Sequence, residues 1–233
     1  MSSSCPLSQM VSKVRAKRER RKLERPGELL AAALDLFVEK GYAATRVEEV
    51  AQHAGVSKGT LFLYFSSKEE LFKAVVRENI SGRFAEWSEE LKTFEGSSEE
   101  LLSYCMNSWW ERVGATKASG IPKLMMSEAG NFPELTLFFQ QEVVQPGNAL
   151  MQRILQRGVE RGELRAIDPV YGIYSLLAPM IFLTMWKHGH GTCGDARIEL
   201  DPRQYIASQL QTILFGLCVR NPDTTGNPKT PPQ

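Results

Sequence analysis

The sequence predicts an all-α protein in two parts. Apolar residues recur at i, i+3, i+4 and i+7 along almost the whole interior of the chain. Helix punctuation, with capping Ser or Thr before each apolar run and Gly or Pro after it, cuts that pattern into discrete segments. No segment alternates with period two for long enough to read as a strand.

The first helix starts at Pro26, a residue suited to a first turn. It places Leu30, Ala33, Leu34 and Phe37 on one face and stops at Gly41. The second opens on Thr45-Arg46-Val47-Glu48, read as a capping box, and carries Val47, Val50, Ala51 and Ala54 to Gly55. A short third helix is expected from Ser57 to Phe65. Ser67-Lys68-Glu69-Glu70 caps a fourth, expected to run to about Lys92. Beyond a capped linker, "EGSSEE", longer helices are expected near 98–115, 121–130, 133–162, 169–188 and 202–218, with punctuation at Pro122, Pro133, Gly162 and Pro169. The predicted organisation is a basic arm over 1–25, a small helical domain over 26–72, a larger one over 73–220, and a polar tail over 221–233. The arm and the tail have the composition of disordered segments.

Composition narrows the function. The 233-residue chain has a net charge of only +1, yet residues 1–25 hold eight basic side chains against Glu19 and Glu24. That asymmetry suits a polyanionic partner. Cys5, Cys105, Cys193 and Cys218 form no CxxC pair and no disulfide framework. No secretory signal is visible. The longest apolar run, Leu176 to Trp186, contains Pro179 and reads as too short to cross a bilayer. The expectation is a reduced, soluble, cytoplasmic protein with no membrane partner. No Ser/His/Asp set, phosphate loop or paired carboxylates stand out, so no enzyme activity and no cofactor are expected. His188, His190 and Cys193 carry metal-binding chemistry, but their spacing fits no standard zinc site, and no metal is expected.

Helices two and three, joined at Gly55-Val56-Ser57, have the layout of a helix-turn-helix, whose second helix enters the DNA major groove. At about 100° per residue, Leu61 and Phe65 share the face turned to the core. Gly59, Thr60 and Leu63 lie opposite. Gly59 removes bulk, Thr60 and Leu63 suit base edges and thymine methyls, Lys58 and Tyr64 suit a base edge or phosphate. Phe62 stays open between packing and contact. The same layout also occurs as plain packing, so the motif alone leaves both readings standing.

Residues 28–72, "ELLAAALDLFVEKGYAATRVEEVAQHAGVSKGTLFLYFSSKEELF", resemble the N-terminal domain of the TetR/AcrR family of bacterial transcriptional regulators. "NFPELTLFFQQEV" and "GVERGEL" resemble segments of AcrR-like C-terminal domains more weakly. The resemblance implies DNA contacts at Thr45, Arg46, Lys58, Gly59, Thr60, Leu63, Tyr64 and Lys68. Many members have histidine where Tyr64 stands. It also implies a homodimer on a pseudo-palindromic double-stranded operator, joined through the last two long helices. Ile173, Leu177, Ile181, Ile206, Leu210, Ile213, Leu214 and Leu217 are the expected interface. An effector pocket is expected among Trp109, Trp110, Met125, Met126, Phe138, Tyr174, Leu177, Met180 and Trp186, although each taken singly also reads as core. The implied function is a repressor released by a small apolar or aromatic effector. A corepressor-dependent regulator, an activator and an architectural DNA-binding protein are the alternatives.

Overall fold

A computed structural model describes residues 24–189 and 200–215, and these residues contain helices and no strand. Helix α1 (24–40) buries Leu29, Ala33 and Phe37. It ends at Gly41, whose φ of 84° favours glycine. Helix α2 (Val47–His53) and helix α3 (Lys58–Phe62) meet across Gly55, at φ 66°. Helix α4 (Lys68–Asn79) buries Leu71, Phe72, Val75 and Val76 completely. Edge-on contacts of Phe72 with Phe37 (5.3 Å) and Tyr42 (5.4 Å) tie it to α1 and the following turn.

Three expectations of the sequence are corrected here. The cap of α2 is Arg46, whose amide donates to the Glu49 carboxylate (3.4 Å), and Thr45 is buried beneath it. Helix α3 closes at Phe62, because the Tyr64 and Phe65 amides both donate back to the Leu61 carbonyl (3.0 Å each) and tighten the chain into a turn. Helix α4 does not run to Lys92. The Asn79 side chain donates to the Val75 carbonyl (2.8 Å), Ile80 turns into the core, and Ser81–Arg83 form a 3₁₀ turn. A Cβ on Gly82 would lie 2.7 Å from the Arg77 carbonyl oxygen, so the turn needs glycine there. Helix α5 (Phe84–Thr93) follows this turn.

In the larger part, α6 (Ser98–Trp109) starts with the expected capping box at Ser97 and Glu100 and ends in a π-turn, Trp110–Gly114. Helices α7 (Gly120–Glu128), α8 (Pro133–Phe139) and α9 (Gln145–Glu160) follow. Gln140–Val144 between α8 and α9 is a second π-turn. It lies just before Pro146, whose ring would clash with a regular helical carbonyl four residues back. Helix α10 (Pro169–Gly189) passes through Pro179 without a break. By length and composition it is long enough to span a bilayer, contrary to the sequence reading of a shorter run. Here it is a packed bundle helix: Leu176, Met180 and Leu183 are buried, and it lies on α7, α9 and α11 (Pro202–Phe215).

The two parts are joined by side chains. Arg77 on α4 donates two bonds to Glu142 in the second π-turn (2.8 and 3.2 Å). Lys117 pairs with Asp35 (2.6 Å), and Tyr42 meets Phe132 edge-on at 4.7 Å. Gly120 lets α7 approach α1, since a Cβ there would lie 2.5 Å from Val38.

Candidate nucleic-acid interface and effector cavity

Helix α3 is positioned by Leu61, which is fully buried, and by Ser57, whose hydroxyl accepts from the Thr60 amide (3.1 Å). The opposite side is bare. Leu63 is 83% exposed, a large apolar side chain with no protein neighbour to explain it. A Cβ on Gly59 would meet nothing nearer than the Ser57 hydroxyl oxygen at 3.8 Å. Glycine inside a helix costs about 1 kcal/mol relative to alanine, and packing within this chain does not require it. A small residue at this position leaves the exposed face open to close approach. Lys58 is exposed and pairs with Glu48 at 2.5 Å, next to the exposed Arg46. Its ammonium holds the Glu48 carboxyl below the usual carboxylate range. Thr60 is half-buried, its hydroxyl 2.9 Å from that of Ser57. Tyr64 and Phe65 are half-buried against the core, and Phe62 is exposed with Lys58 over its ring at 5.7 Å.

Two of the eight expected contact residues turn inward. Thr45 is 1% exposed and donates to the carbonyls of Leu36 (3.1 Å) and Gly41 (2.7 Å). Lys68 places its ammonium on the carbonyls of Tyr42 (2.9 Å), Ala43 (3.3 Å) and Thr45 (3.2 Å), with the Tyr42 ring 4.4 Å away. All three of its donors are engaged, and burial pushes its pKa down. These side chains, expected at the DNA, hold the α1–α2 connection against α4.

The larger part encloses a cavity of about 430 Å³, within the range of small-molecule sites. Of the expected pocket residues, Trp109, Met125, Met126, Tyr174, Leu177 and Met180 line it. Three do not. Trp110 covers Gly114, Phe138 lies under Arg77 (5.0 Å) and Lys73 (5.7 Å), and Trp186 stacks beside Phe182 (5.7 Å). The sequence reading missed Ile80, Phe84, Trp87 and Leu91, which form the wall nearest α4. Their signal was present as i, i+3, i+7 spacing at 84, 87 and 91, hidden by treating α5 as an extension of α4. It also missed Val143 and Val144 of the second π-turn. Cys105 is in the wall, and burial pushes its thiol up to about 12, so it carries no thiolate. Trp87 Nε1 and Ser108 Oγ are buried in lining residues without a hydrogen-bond partner.

The expected interface is also redrawn. Ile173, Ile206 and Leu210 are buried inside the single chain, Leu177 faces the cavity, and Ile213 and Leu214 are half-buried against the core. Ile181 is exposed, and Leu217 lies outside the described residues. On α10 the exposed large apolar side chains are Val170, Tyr171, Tyr174, Ile181, Phe182 and Met185, of which Tyr174, Ile181 and Met185 also border the cavity. His190, Cys193 and most of the basic arm also lie outside the described residues. His188 bonds the Ser119 hydroxyl (2.9 Å), and no cluster fit to hold a metal occurs among the described residues.

Residues 29–75 match the family model for bacterial regulatory proteins, tetR family, and 95–199 match a tetracyclin repressor-like C-terminal domain. The transcriptional repressor KstR2 of Mycobacterium tuberculosis is 34% identical over 190 residues, 81% of this chain and 92% of KstR2. The chain belongs to the TetR family. As a TetR-family protein it is a ligand-responsive, DNA-binding transcription regulator with a helix-turn-helix. The activator FasR of Mycolicibacterium smegmatis is 40% identical, but over 78 residues only, 34% of this chain and 36% of FasR. The fold matches that of FadR from Bacillus subtilis, solved with stearoyl-CoA, at a TM-score of 0.68 and 20% identity, covering 82% of this chain and 98% of that one.

Proposed function

We propose that this TetR-family protein is a homodimeric repressor, released from a pseudo-palindromic operator when an apolar-bodied effector fills the cavity. The observation that carries the reading is the place of α4. Its Leu71, Phe72, Val75 and Val76 are fully buried, with Phe72 packed on Phe37 and Tyr42 of the DNA-binding part. Its far end, Ile80 and the Phe84 turn, is cavity wall. Arg77 joins the same end to the π-turn that contributes Val143 and Val144 to that wall. Occupancy of the cavity therefore bears on the helix that carries the reader. A ligand shifts this equilibrium only by its preference for one α4 orientation over the other; release requires that it favour the orientation that separates the two recognition helices from their half-sites.

The α3 face supports direct readout by Gly59, Thr60 and Leu63, with Lys58, Arg46 and Tyr64 on phosphate or base edges. Thr45 and Lys68 position this face. The uncovered apolar stripe of α10 supports a two-fold dimer, which matches a two-fold operator. The relative KstR2 is named a repressor, and the FadR structure shows this fold holding a ligand with a long apolar chain.

The test is genome-wide binding to define the operator, followed by operator titration with and without effector. A palindromic site whose affinity falls with effector is expected. Effector-tightened binding would replace this reading with a corepressor-dependent one.

A further inference from the structure

Helix α2 opens with two adjacent acidic residues, and they do different things. Glu49 is committed to its own helix end. It accepts from the Arg46 amide at 3.4 Å and lies 3.3 Å from the Lys40 ammonium. Glu48 reaches across to α3. Its carboxylate lies 2.5 Å from the ammonium of Lys58, the first residue of that helix, and both side chains are 55% exposed. The Phe62 ring, one turn further along α3, lies 5.7 Å from the same ammonium. Lys58 is therefore held between a carboxylate and a ring, at the end of the recognition helix that meets base edges.

A carboxylate on this face calls for a reason. DNA phosphates repel it, and an exposed ion pair contributes little to stability. Acidic residues do favour a helix N-terminus, but Glu49 already serves there. The Lys58–Glu48 couple presents a donor and an acceptor side by side and carries no net charge. A G·C pair shows the complementary pattern in the major groove: acceptors at guanine O6 and N7, and a donor at cytosine N4.

We infer that Glu48 is a specificity residue of the reading face: with Lys58 it reads one G·C pair in each half-site, Lys58 on guanine and Glu48 on the cytosine amino group. This rests on α3 entering the major groove, and adds a residue outside the eight expected contacts. The couple is neutral, so it adds sequence preference without adding attraction for phosphates in general.

The test compares full-length wild type with Glu48→Gln. Selection from random duplexes defines the preferred site. Every base is then substituted at each position of that site, and an unrelated duplex is titrated over a range of salt. Wild type should select a constrained G·C pair in each half-site. Glu48→Gln should lose about tenfold of the preference for that pair. On unrelated DNA its log affinity should fall more steeply with log salt, by about 0.9, as the freed Lys58 takes one phosphate. Base preference or salt dependence left unchanged overturns the inference, and so does a lost preference at an A·T position. An equal loss on every duplex makes Glu48 a packing partner of Lys58 and also overturns it. If wild type selects no sequence at all, direct readout by α3 falls with it. Glu48 is exposed, so the variant keeps the fold.

Discussion

The two parts of this regulator use apolar side chains in opposite ways. In α1–α4, Leu29, Phe37, Leu61, Leu71, Phe72 and Val75 are closed against one another, and the large apolar group left fully open is Leu63 on the reading face. In the larger part, α5, α6, α7, α9 and α10 hold their apolar side chains around a void. A close-packed unit transmits position, because interiors packed like crystals deform little. A cavity lined by methionine and aromatic side chains adapts to a ligand. The contrast separates the reader from the sensor, and α4 belongs to both.

Enlarging a side chain should break the contrast most sharply. Ala33→Phe, at a closed site in α1, should destabilise the protein by about 1–3 kcal/mol or more. Val144→Phe, at the cavity wall, should cost much less and should abolish binding of an apolar-bodied probe, dodecanoate. Denaturant titration of both variants checks the pair, and equal destabilisation would remove the distinction. On the reading face, Leu63→Ala should change base preference by about 1–3 kcal/mol at one position of the operator without lowering stability. A uniform loss over all sequences would instead place Leu63 on the backbone. Lys68→Ala should do the reverse: a loss of about 1–3 kcal/mol of stability from three carbonyls left without their donor, and weaker binding to every sequence. Unchanged stability would return Lys68 to the role of a free phosphate contact. The smallest effect belongs to the link between the parts. Arg77→Ala removes a half-exposed pair worth up to about 1 kcal/mol. It should leave operator and probe affinities separately close to wild type and shrink the effect of one on the other, measured as a thermodynamic cycle.

The reader was legible in the sequence because its contacts are local. Caps, turns and the i, i+3, i+4 spacing of residues 26–72 fall within a few residues of one another, and Leu61 and Leu63 lie on the sides the wheel gave them. That Thr45 and Lys68 turn inward was not legible, because their partners, carbonyls of residues 36–45, carry no side-chain signature. The sensor was less legible because its wall is assembled from distant elements. An apolar helix such as α10 shows no preferred side by periodicity, so Ile173 facing inward and Ile181 facing outward look alike in sequence. Helix α5 was hidden by the Ser81-Gly82 turn, which reverses a pattern that otherwise continues.

If a molecule in the cavity moves α4, it loosens the hold on DNA. The most direct measurement is fluorescence anisotropy of labelled operator bound by the full-length protein, with and without saturating dodecanoate. Weaker operator binding is expected for wild type, and no change for Val144→Phe. Operator affinity that rises, or that stays constant while calorimetry shows the probe bound, would contradict it.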